Sequence, residues 1–312
     1  MVARNVSLHA GDQLAVALGA HDLSAFAIDD LSHDCSFLVN AAIVAPAACR
    51  YLGGTLAGGG TRIQLCGRLV AEVAGQRVED ALPGRQGRLL FAYLAANRAR
   101  MVTRPELIDV LWPGGAPDAA ETALASLLSK VRRAAGEGVL DGKAELRLNL
   151  PRDAWIDLEA AGVGVHRAES AVALEEWERA WAPARSALYI ANRGLLPGYD
   201  APWIDERRRW LEDVRLRALE CVGAVGLRMG GTELAAAGRA GRALVEAAPF
   251  RESGYRLLME ALAAEGNVAE GLRVYDGLRV LLREELGAAP GAAAQELHRR
   301  LLAQLDAVRK GG

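Results

Sequence analysis

Between positions 117 and 136 apolar side chains return every three or four residues. Leu124, Leu127, Leu128, Val131 and Ala135 fall on one stripe of a helix, while Thr122, Ala125, Ser126, Ser129, Lys130, Arg132 and Arg133 fall on its other faces. Asp118 with Glu121 three residues later predicts a capping box at the start, and Gly136 marks the stop. The segment, Pro117 to Gly136, reads as one helix about 27 Å long. Short hydroxylated side chains near its start and cations near its end suit a DNA major groove.

The flanking pattern gives that helix a setting. From Arg62 the runs RIQLCGRL, AEVAG and QRVE alternate apolar and polar residues around a turn at Gly75, which predicts a small antiparallel sheet. A helix is expected from about Arg85 to Asn97 on the apolar face Leu89, Leu90, Tyr93 and Leu94. Thr103, Arg104, Pro105 and Glu106 predict a second capping box with proline in the first turn, and Leu107, Ile108, Val110 and Leu111 give the next helix its core face. After Gly136, an Asp141-Gly142 turn and the alternating Leu146, Leu148 and Leu150 predict a hairpin. A hairpin beside a third helix is a wing, with Lys143 and Arg147 placed for the DNA backbone or minor groove. From Leu158 strands give way to Ala-rich amphipathic helices. At an offset of 34 residues, Leu234, Ala235, Arg239 and Leu244 match Val268, Ala269, Arg273 and Leu278, the period of a tetratricopeptide repeat.

The formal net charge of the 312 residues, -2, argues against nucleic acid until it is divided by region. Residues 1–60 hold two basic and five acidic side chains, 61–157 fourteen and twelve, and 158–312 twenty-one and twenty-two. Only the middle segment is net positive. Within it, 61–136 carries eleven Lys or Arg against seven Asp or Glu, a local excess able to bind phosphates through counterion release. Cys35, Cys49, Cys66 and Cys221 form no CxxC pair, so neither a zinc site nor a disulfide framework is expected, and a reducing cytoplasm fits. His33, Asp34 and Cys35 lack further ligands for a metal. The apolar run Ser36 to Cys49 is too short to span a bilayer. Motifs such as GxSxG, HExxH or a dinucleotide fingerprint do not occur, so no catalysis, cofactor or metal is expected. Trp177, Trp181, Trp203 and Trp210 are assigned to packing, and Arg207, Arg208 and Arg209, flanked by acids, to an exposed salt-bridged face.

Taken together, the stretch RQGRLLFAYLAANRARMVTRPELIDVLWPGGAPDAAETALASLLSKVRRAAG resembles the winged-helix domain of SARP-type transcriptional activators, whose fold is that of OmpR-like response regulators. The segments GLLPGYDAPWIDERRRWLEDVRLRALE and REELGAAPG resemble the bacterial transcriptional activator domain that follows it. The resemblance implies a mainly α fold with a small β component: a winged helix-turn-helix domain at 61–155, then a tetratricopeptide-like helical domain at 156–308, after a low-complexity 1–60 extension. It implies a cytoplasmic activator, not an enzyme, that binds double-stranded DNA at direct repeats, as a homodimer at least on DNA, and recruits RNA polymerase. By position, Thr122, Ser126, Ser129 and Arg133 would face the groove, and Arg85, Arg88, Arg104, Lys130 and Arg132 the phosphates. The loop Pro113, Gly114, Gly115, Ala116 and Pro117 would contact polymerase. The chain departs from the family at the wing, where Ala144-Glu145-Leu146-Arg147 replaces a Gly-Tyr pair. The alternative is a protein-interaction scaffold whose winged helix no longer binds DNA.

Overall fold

A computed structural model describes residues 60–311, with side chains through 306. His33, Asp34, Cys35 and the rest of the N-terminal extension up to residue 59 lie outside the described residues.

Three short strands, β1 (Arg62–Gln64), β2 (Val70–Val73) and β3 (Gln76–Arg77), form the expected meander. Ala74 and Gly75 take the tight turn between β2 and β3 with φ of 49° and 78°. A fourth strand, β7 (Trp155–Ile156), lies parallel to β1 with Ile63 opposite Ile156. Two residues are too few for an alternation to be read, so β7 was not legible in the sequence.

Helix α1 (Gly84–Ala96) follows, then strand β4 (Val102–Thr103), α2 (Arg104–Leu111) and α3 (Ala120–Ala135). Leu89, Leu90, Tyr93 and Leu94 of α1 and Leu107, Val110 and Leu111 of α2 are buried together with Leu124, Leu128 and Val131 of α3. Thr103 caps α2, its hydroxyl accepting the Glu106 amide hydrogen at 3.4 Å. The Glu106 carboxylate does not complete the box. It accepts instead from the Tyr93 hydroxyl and from Arg100, which ties α2 to α1. The Arg100 guanidinium holds the Glu106 carboxyl below its ordinary pKa.

The start of α3 also differs from the expected box. Its N-cap is Ala119 and no side chain caps it, so Asp118 is left exposed and Glu121 is free to pair elsewhere. Its end is as expected: Gly136 sits at φ 98°, a conformation that costs glycine little.

The wing is a three-stranded sheet in the order β4, β6 (Glu145–Leu148), β5 (Leu140–Gly142). Leu146 and Leu148 are buried while Glu145 and Arg147 face out, as the alternation predicts. The turn falls later than predicted. Asp141 and Gly142 belong to β5 and pair with Arg147 and Leu146, leaving Lys143 and Ala144 at the tip. Gly142 lies at φ 93°, and a Cβ there would stand 1.8 Å from the Glu145 carbonyl oxygen.

The remaining helices are α4 (Asp157–Ala173), α5 (Trp177–Asn192), α6 (Pro202–Met229), α7 (Leu234–Ala247), α8 (Glu252–Ala264), α9 (Val268–Leu286) and α10 (Ala292–Gly311). Each packs on its neighbour in sequence, as a repeat array requires. The 34-residue offset superposes the first residues of α7 and α9, Leu234 and Val268, and Leu244 and Leu278 are both fully buried. Trp177 and Trp181 pack against Ala171, Ala180 and Val225. Arg208 departs from the expected exposed face: its guanidinium donates to the carbonyls of Leu195, Leu196 and Tyr199 and so locks the turn before α6.

A single core runs from Ile63 in β1 through α1, α2 and α3 to Ile204, Leu211 and Val214 in α6. Across this seam the Asp157 carboxylate, fully buried, accepts the amide hydrogens of Leu65 and Cys66, both at 2.8 Å. Burial raises its pKa, opposed by those two amides and by Arg193. The Leu196 amide donates to Leu65 and the Gly67 amide to Gly194. Tyr93 meets Trp203 edge-on at 5.0 Å.

Candidate nucleic-acid interface

Helix α3 buries one side and offers the other. Thr122, Ser126, Ser129, Lys130 and Arg133 are all exposed, whereas Leu124, Leu128, Val131 and Ala135 are buried. At about 100° per residue, Thr122, Ser129 and Arg133 lie at the centre of the open face. Ser126 and Lys130 flank it on one side; Ala125, Arg132 and Glu121 flank it on the other. Lys130, Arg133 and Lys143 make no hydrogen bond or ion pair among the described residues. Their charges are available.

Five of the basic residues singled out in the sequence hold protein partners. Arg132 turns toward the wing, donating from Nη2 to the Gly142 carbonyl at 2.5 Å and from Nε to that of Leu140 at 3.4 Å. Arg85 reaches the helical half, donating to the Gly198 carbonyl at 2.7 Å and stacking on Tyr199 at 4.5 Å. Arg88 donates to the Glu79 carbonyl at 3.3 Å and lies 3.9 Å from Asp80. Arg104 grips Glu121 through Nε and Nη2 at 2.9 and 2.6 Å. Arg147 stands 4.0 Å from Asp141, a distance at which the pair between half-exposed groups holds neither firmly. Arg85 and Arg132 therefore act first as struts, because a guanidinium aimed at a carbonyl stays with it when no anion is near. Sequence reasoning passed over Asp157. Its only signal was an acid immediately after the apolar Trp155 and Ile156.

The loop from Pro113 to Pro117 is exposed throughout. It is closed at its start by the Gly115 amide donating to Trp112 at 3.0 Å. Cys66 and Cys221 are free and buried, and burial pushes the Cys221 thiol up to about 12; neither is poised as a nucleophile. Among the described residues no group of acids, histidines and cysteines is arranged to hold a metal ion, and no helix is long and apolar enough to cross a membrane.

A winged helix continuous with a stack of helix pairs defines a class of regulator, and comparison with known proteins places the chain within it. Residues 156–302 match the bacterial transcriptional activator domain. Along most of its length the chain is similar to transcriptional regulators of the SARP type. It is 33% identical over 253 residues to the regulatory protein AfsR of Streptomyces coelicolor, covering 78% of this chain and 24% of that protein. It is 30% identical to the transcriptional regulator RedD of the same organism, covering 70% of this chain and 64% of RedD. It is 27% identical to the regulatory protein DnrI of Streptomyces peucetius, covering 77% and 92%. The chain thus spans about a quarter of the length of AfsR. The structure of Mycobacterium tuberculosis EmbR in complex with a low affinity phosphopeptide shares the fold, with a TM-score of 0.67 at 24% identity over 78% of this chain and 65% of that one.

Proposed function

We propose that this chain is a sequence-specific DNA-binding activator of transcription, with 61–155 as the DNA-binding part and 156–308 as the activator part. The observation that carries this reading is the open face of α3, where Thr122, Ser126 and Ser129 precede the unpaired cations Lys130 and Arg133, with Lys143 at the tip of the adjoining hairpin. Small hydroxyls let the helix enter a major groove and bond base edges, while cations beside them meet phosphates. In this reading the protein binds direct repeats as a dimer on DNA, in the cytoplasm, and the exposed loop 113–117 touches RNA polymerase.

Mobility-shift titration of genomic fragments at two salt concentrations tests it. The full chain is expected to retard a subset of fragments, and Lys130→Ala and Arg133→Ala to weaken that binding. Equal retention of every fragment, or none of any, would overturn the reading in favour of an interaction scaffold. In a reconstituted transcription assay, replacing residues 113–117 with a flexible segment is expected to abolish activation while leaving the shift intact.

A further inference from the structure

The first turn of α3 carries a feature that the open face does not explain. Glu121 caps nothing: the helix starts from Ala119 without a side-chain cap, and the Glu121 side chain is 61% exposed. Arg104 holds it from one side only. Both Arg104 donors, Nε and Nη2, converge on Oε2, and Nη2 also reaches the Glu121 carbonyl at 3.4 Å. Oε1 of Glu121 and Nη1 of Arg104 carry no hydrogen bond among the described residues. Arg104 is itself fixed, as the first residue of α2, with its amide donating to the Ala144 carbonyl of the wing at 3.3 Å. The carboxylate is therefore neutralised, oriented and left with one oxygen open.

On the reading that α3 enters a major groove, we propose that Glu121 is a base-specificity residue that accepts a hydrogen bond from the N4 amine of a cytosine. Arg104 is the positioning residue that bridges Glu121 to a DNA phosphate through Nη1. The N-terminal residues of a recognition helix are those that meet base edges, and the first residues of the preceding helix lie against the backbone. A bare carboxylate there would be repelled by phosphates; the Arg104 charge removes that repulsion. Cytosine presents a donor in the major groove. Adenine presents its amine beside the N7 acceptor, which disfavours a carboxylate but suits an amide that both donates and accepts.

Selection of binding sites from a library randomised across the half-site, with the full chain and its variants, tests the pairing. The wild type is expected to require cytosine at one position, preferring it by about tenfold. Glu121→Gln is expected to move that preference to adenine, and Glu121→Ala to erase it while the other positions keep theirs. Arg104→Ala is expected to weaken both the cytosine preference and overall affinity, and Arg104→Lys to recover affinity better than preference. If all four variants bind selectively with the wild-type preference at every position, the pair is a structural clamp and the inference is overturned. If the wild type selects no sequence at all, it is the DNA-binding reading that fails.

Discussion

An arginine in a basic stretch reports its charge in the sequence, but not where its guanidinium goes. Arg132 and Arg133 are adjacent, yet Arg132 bonds the Gly142 and Leu140 carbonyls while Arg133 stays exposed and unpaired. About 100° of helical rotation separates them. The charge count that first favoured DNA thus overstates the cations available to phosphates. With Lys130, Arg133 and Lys143 as the free set and Arg104 reaching a fourth phosphate through Nη1, the slope of log K against log salt is expected to be about -3.6 per half-site. Lys143→Ala is expected to make it shallower by about 0.9. Arg132→Ala is expected to lower affinity with the slope unchanged, because it loosens the wing and removes no phosphate contact. A loss of slope in Arg132→Ala equal to that in Lys143→Ala would show that Arg132 leaves the wing when DNA binds.

At the scale of elements, helix type and burial were legible because α1, α2 and α3 repeat their leucines at helical spacing over two or more turns. Caps and turns were less so. Asp118 and Glu121 have capping-box spacing, but α3 begins beyond Asp118 and Arg104 takes Glu121, an ion pair between residues seventeen apart that no local pattern encodes. Likewise Asp-Gly is a turn signal, yet pairing of Asp141 with Arg147 carries the strand two residues further. The joint between α1 and α2 has a pH signature. The Glu106 carboxyl is held below its ordinary 4.5, first by Arg100, so its contribution to stability is complete above 4.5 and disappears as pH falls through the lower folded value. Denaturation midpoints of the wild type and Glu106→Gln are expected to differ at pH 7 and to converge in acid. A gap that widens toward low pH would contradict that assignment.

For the whole molecule, the sequence indicated an array of helices after a winged helix but not the way they join. The seam depends on contacts separated by about ninety residues, such as Asp157 with the Leu65 and Cys66 amides, and on a two-residue strand. Because one core crosses that seam, the two halves are expected to unfold together. Asp157→Asn turns one acceptor into a donor facing an amide, and is expected to cost about 2–4 kcal/mol in a single cooperative transition. Two transitions, with only the first moved by the substitution, would show the halves to be independent.

The central claim is that this face lies in a major groove. Attaching an iron chelate to a Ser126→Cys variant and cleaving bound DNA at single-nucleotide resolution tests it most directly, with the identically treated wild type as control for the four natural cysteines. The account predicts cuts confined to the major groove at the centre of each repeat and absent in the control. Cuts spread evenly along the duplex, or centred on the minor groove, would contradict it.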